Sequence, residues 1–189
     1  MTKLKTALNE GLDAGLTINE IKQVLVQMCA YCGFPRSLNA LAIFSDTVSE
    51  RVRKGIKDEV GKEASPFPPT GKTSLELGTE VQTKLVGSPV KGGLMDFAPD
   101  IDLYLKAHLF GDIFGRDNLD WQSREVATVA ALASMDGTSA QLRAHLGYSV
   151  NVGVSEAQLK NLVGILGVKV GKRIGDDAGK ILDEVLSSR

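Results

Sequence analysis

Glu125, His145 and His108 are the residues of this chain best suited by type to move a proton. The stretch "REVATVAALASMDGTSAQLRAH", residues 124–145, places the first two on consecutive helical segments. An Ala-, Thr- and Ser-rich helix carries Glu125, the chain reverses at Asp136-Gly137, and a returning helix carries His145. At ~1.5 Å rise per residue, Glu125 lies about 15 Å below the turn and His145 about 11 Å below it. A carboxylate–imidazole contact between antiparallel helices is therefore expected. Such a contact fixes one ring nitrogen and frees the other for general acid–base work. The same contact also suits a core histidine held by a structural glutamate. His108, in "YLKAHLFGDIFGR", sits between apolar neighbours on an amphipathic segment and either assists the pair or serves structure. Arg124 and Arg116 are candidates to hold an anionic substrate through bidentate hydrogen bonds.

The second candidate chemistry is thiol chemistry. Cys29 and Cys32, spaced C-x-x-C in "QMCAYCGFPRSLNAL", are the only two cysteines. A reactive thiolate needs a depressed pKa, usually at a helix N-terminus. Here the pair closes a helix, just before Gly33 and Pro35, where the macrodipole disfavours negative charge. Cys32 also continues the apolar stripe of Ile21, Leu25 and Met28, so packing at a helix end is the favoured reading, with a strained, reducible bridge as the alternative. No second C-x-x-C or H-x-x-H spacing completes a metal site, and no metal or cofactor is expected. Phosphate-binding glycine loops, G-x-S-x-G elbows and H-E-x-x-H helices are absent from the sequence.

The elements that must position these residues read as helices throughout. Thr17 and Glu20 form a capping box ahead of an apolar stripe running to Cys32. After Gly33, "RSLNALAIFSDTVSERVRKG" directs Leu38, Leu41, Ile43, Phe44 and Val48 to a core. Residues 61–73 are a proline-rich loop, followed by a helix near "LELGTEVQTKL" and a glycine-rich break. "DIDLYLKAHLFGDIF" is expected to be one amphipathic helix, and "DWQSREVATVAALASM" starts at an Asp cap. Two more helices lead to "DDAGKILDEVL" at the close. No strand is expected; the fold class is all-α. At an offset of 138 residues Gly15 falls on Gly153, Thr17 on Ser155, Ile21 on Leu159 and Gly33 on Gly171. This is the signature of a repeated helical unit.

With 189 residues, 43% apolar, 24% charged and a net charge of −1, the chain suits a globular domain with no attraction to nucleic acid or an anionic membrane. No apolar run approaches the ~20 residues of a membrane helix, and the N-terminus has no secretory apolar core, so the cytoplasm is the expected address.

"GLTINEIKQVLVQMCAYCGFPRSLNAL" resembles the second half of the carboxymuconolactone decarboxylase repeat, and residues 120–163 resemble its first half running into the second. The resemblance covers about half of the chain. It implies an alkylhydroperoxidase D-like helical bundle with two helical repeats, assembled as a trimer or hexamer. The repeats would be a truncated one at 1–60 and a complete one at 99–189, joined by a linker with a short helix at 61–98. It also implies two chemistries. One is cofactor-free decarboxylation of a small carboxylated lactone. The other is a thiol antioxidant reaction at C-x-x-C followed by His, with an upstream Glu. The Glu and His of that motif fall on Glu125 and His145, but its cysteines fall on Thr138 and Gln141. Decarboxylation is the first expectation, thiol antioxidant activity at Cys29 and Cys32 the second, and a non-catalytic oligomeric binding protein the third.

Overall fold

A computed structural model describes residues 2–68 and 71–189; Pro69 and Thr70 of the expected loop lie outside the described residues. Every regular element among the described residues is helical, so the chain is all-α. No helix among them is long and apolar enough to cross a membrane. The chain divides into two compact units, Met1–Phe67 with Arg116–Leu119, and Pro68–Gly115 with Asp120–Arg189.

The first unit is built on α1 (Thr2–Asp13), α2 (Ile18–Cys32) and α3 (Phe34–Arg53). Local chemistry sets their ends. Thr17 Oγ1 accepts from the Glu20 backbone N–H while the Glu20 carboxylate accepts from the Thr17 N–H at 2.8 Å, closing a capping box. Gly33, at φ +83°, makes the corner between α2 and α3, and Pro35 occupies the first turn of α3 without needing a hydrogen-bond donor. Leu8, Leu12, Ile21, Leu25 and Phe44 form the core, with Leu41, Ile43 and Val48 packed around it. Leu38, expected inside, is exposed instead. At the start of α3 the inward position belongs to Ser37, whose hydroxyl donates to the Leu25 carbonyl at 2.7 Å. The irregular segment after α3 is tied down by Asn19, whose side-chain amide donates to the Gly61 and Lys62 carbonyls, and by Asp117, which accepts from Lys62 and Ser65.

The second unit contains α4 (Ser74–Val86), α5 (Leu94–Phe97), α6 (Pro99–Tyr104), a π-helix (Leu105–Ile113), α7 (Trp121–Ala133), α8 (Ser139–Asn151), α9 (Glu156–Lys169) and α10 (Lys172–Ser187). The unit begins at Pro68 and includes α4. A Cβ on Gly78 would stand 1.7 Å from the Lys106 carbonyl oxygen, so α4 and the π-helix meet backbone to backbone. The segment 100–114, expected as one amphipathic helix, widens after Tyr104 into i→i+5 bonding, as in Phe114 N–H to the Leu109 carbonyl at 2.9 Å. The apolar spacing read along the chain is compatible with either winding. Asp120 caps α7 by accepting from the Ser123 N–H, and Ser155 with Gln158 forms the capping box of α9.

Helices α1, α2 and α3 recur at α8, α9 and α10 with bounds that agree to within a few residues at the offset of 138. The turn hydrogen bonds match as well. Gly15 N–H donates to Leu12 and Leu16 N–H to Gly11; Gly153 N–H donates to Val150 and Val154 N–H to Ser149.

Candidate functional site

Glu125 stands one turn into α7, on the face that also buries Thr128, Val129 and Leu132. The small residues of α7 let α8 approach, and α8 turns His145, Leu142, Leu146 and Ser149 inward. His145 and Glu125 meet there: Nδ1 lies 2.8 Å from Oε2, with Glu125 0% and His145 7% exposed. An ionised carboxylate only accepts, so Nδ1 carries the hydrogen and donates it, which points Nε2 the other way. The contact fixes the orientation of the imidazole ring between α7 and α8.

Tyr148, one turn beyond His145 on the same face of α8, completes the cluster. Its ring meets the imidazole edge-on, with centroids 5.0 Å apart and planes at 67°. Burial, and secondarily the Glu125 charge, push the Tyr148 phenol above its ordinary pKa, so it is a neutral hydroxyl at neutral pH. Sequence reasoning passed over Tyr148. The available signal was its i+3 spacing from His145, which puts the two on one helical face.

The other expected site residues go elsewhere. His108, on the π-helix, is half-exposed and bonds Asp112 one turn on at 3.2 Å; Asp112 also accepts from the Ser74 hydroxyl. The structure thus gives His108 its own carboxylate and does not hydrogen-bond it to the Glu125–His145 pair. Arg124 is wholly buried, its guanidinium 5.9 Å from the Phe114 ring centroid, and is no surface clamp. Arg116 belongs to the first unit and lies over Phe67 at 4.9 Å. Cys29 and Cys32 form no disulfide, lie in the last turn of α2 and are partly buried; burial pushes the Cys29 thiol up, against thiolate formation. Thr138 and Gln141 stand at the start of α8, where the Thr138 hydroxyl donates within the α7–α8 turn to the Leu132 and Met135 carbonyls.

A cavity of about 150 Å³ lies between that turn and the start of α10, with Thr138, Arg173 and Asp177 in its wall. A larger, shallow hollow of about 480 Å³ is lined by Lys84, Asp120, Trp121, Gln122, Asn151 and Val152. Neither is lined by Glu125 or His145. Tyr148 is the partly exposed member of the cluster. Among the described residues no group of three or more His, Cys, Asp and Glu is placed to hold a metal ion.

Residues 99–171 match the family model described as the carboxymuconolactone decarboxylase family. Over 92 residues the chain is 30% identical to a 4-carboxymuconolactone decarboxylase of Acinetobacter baylyi, an alignment covering 49% of this chain and 68% of that protein. Glu125, His145 and Tyr148 fall inside the family match; Cys29 and Cys32 fall outside it.

Proposed function

This chain belongs to the carboxymuconolactone decarboxylase family, and from that premise we propose that it removes carbon dioxide from a small carboxylated lactone, using the Glu125–His145 pair to deliver a proton to carbon. The observation that carries the reading is the buried 2.8 Å contact between the two side chains. Decarboxylation leaves an electron pair on the substrate, and a conjugated lactone ring can hold that pair while an acid supplies a proton. The reaction therefore asks the protein for a positioned acid and a site closed to water. His145 is that acid. Glu125 fixes its tautomer and stabilises the imidazolium, as a buried carboxylate does for a catalytic histidine.

Incubation with carboxymuconolactone, followed by loss of ultraviolet absorbance, tests the reading. His145→Ala and Glu125→Gln are each expected to lower kcat by about 100-fold or more, within the range that general acid–base catalysis contributes. A rate untouched by His145→Ala, in a protein with unchanged circular dichroism, overturns the assignment.

Self-association belongs to the same reading. Leu94, Phe97, Ile101 and Tyr104 in α5 and α6 are exposed, Phe97 at 87%, and such apolar side chains close together mark an interaction surface. We propose that this surface is covered by further copies of the chain, as the family resemblance implies. Light scattering behind size exclusion reads the mass; a species of 20.2 kDa at micromolar concentration overturns it.

A further inference from the structure

One buried polar atom at the His145 cluster lacks a partner, and a phenol stands against the same imidazole. Glu125 Oε1 is buried with no hydrogen bond, although Oε2 of the same carboxylate is engaged by His145. Tyr148, partly exposed, sets its ring against the same imidazole, with centroids 5.0 Å apart. The carboxylate oxygen is an obligate acceptor and the phenol a ready donor, and both flank a single imidazole. Polar groups withdrawn from water are almost always hydrogen-bonded, so the orphaned carboxylate oxygen needs a reason.

Exposure says which member a ligand meets first. Glu125 and His145 are closed off, whereas Tyr148 is partly open on the same helical face. A small molecule that reaches His145 lies against the phenol. Resting on the decarboxylase reading, we propose that Tyr148 is a further catalytic residue, its hydroxyl donating a hydrogen bond to the lactone carbonyl oxygen as that oxygen takes up charge.

The chemistry balances with the groups present and solvent. The bond between the ring carbon and the carboxylate breaks, carbon dioxide leaves, and the electron pair spreads through the conjugated ring to the carbonyl oxygen. Tyr148 stabilises this enolate oxygen without surrendering its proton, because burial and the Glu125 charge keep the phenol protonated. His145 then gives the Nε2 proton to a ring carbon, the enolate pair returns to form the new C–H bond, and the carbonyl is restored. Solvent returns one proton to the imidazole. Glu125 Oε1 is left to accept from a hydroxyl or water that arrives with the substrate.

Tyr148→Phe keeps the ring against His145 and removes only the donor. Its kcat and KM on carboxymuconolactone are measured beside its affinity for tetronate, a lactone that is an enolate anion at neutral pH and carries no carboxylate. The expected result is a kcat lower by about 100-fold, as for loss of one oxyanion donor, with KM changed less than about threefold. Tetronate binding is expected to weaken by about tenfold, and the thermal midpoint to stay in place. If the variant keeps kcat within about twofold while His145→Ala is inactive, the Tyr148 assignment falls and the decarboxylase reading stands. If the wild-type protein turns over no lactone, the decarboxylase reading falls and tetronate decides alone. A tenfold loss of binding in Tyr148→Phe then upholds the donor, and equal binding, or none by the wild type, overturns it.

Discussion

Helices α1–α3 and α8–α10 match in their bounds at the offset of 138, yet the position that holds His145 in the second triplet holds Ala7 in the first. Ala7 is exposed, whereas His145 is buried against α7 and bonded to Glu125. The apolar positions agree closely across the two: Leu8 with Leu146, Ile21 with Leu159 and Phe44 with Leu182 are all buried. The triplet is thus a scaffold that packs in either setting. What distinguishes the second triplet is the carboxylate that α7 adds, which orients the imidazole.

The first triplet spends its charged residues on structure instead. Arg51, at the end of α3, is buried; it donates from Nε and Nη2 to both Asp58 carboxylate oxygens at 2.8 Å, and further to Asp13 and Asn9. Its counterpart Arg189 reaches the matching places, the Gly147 carbonyl and the Asn151 side chain, but is exposed.

The sharpest way to break this comparison is to remove each arginine in turn. Arg51→Ala strands the buried Asp58 carboxylate and is expected to cost about 3 kcal/mol in chemical denaturation. Arg189→Ala is expected to cost about 0.5 kcal/mol, as for an exposed polar contact. Equal losses would show that the two clamps are alike after all. The pH dependence follows the same logic. The Arg51 guanidinium holds the Asp58 carboxyl below the usual carboxylate range. A depressed folded-state pKa contributes stability that is complete above the unfolded value of about 3.9 and is lost as pH falls below it. That acid loss should shrink in Arg51→Ala.

Much of this was legible in the sequence, and the reasons are local. The Thr17–Glu20 and Ser155–Gln158 caps are read from residue types three apart. The Glu125–His145 contact follows from counting residues back from Asp136-Gly137 along two helices. What escaped depends on neighbours that no local spacing reveals. Leu38 is exposed because Ser37 takes the inward position, and the 105–113 segment is a π-helix pressed against Gly78. Arg116, although close in sequence to α7, belongs to the first unit. Tyr148 escaped for a different reason: the search was for titrating groups near neutrality, and a phenol matters here as a donor that does not titrate.

The smallest expected effect concerns the cysteines. At the offset of 138, Cys29 corresponds to Gly167 and Ser37 to Gly175. A Cβ on Gly175 would stand 2.6 Å from Gly167 Cα, so α9 and α10 cross backbone to backbone. At the matching crossing of α2 and α3 the first triplet carries a thiol and a hydroxyl, the latter bonded to the Leu25 carbonyl. Cys29 therefore stands where the second triplet has a glycine, and burial raises its pKa. Cys29→Ser is expected to leave lactone turnover within about twofold of wild type, because small volume-conserving changes away from the reacting groups disturb little. The wild-type thiol should react slowly with a disulfide reagent at pH 7 and speed up only above the ordinary cysteine pKa of about 8.5, since the thiolate is the reacting form. A fast reaction at neutral pH would mean that this crossing is a redox site, and that the first triplet has a chemistry of its own.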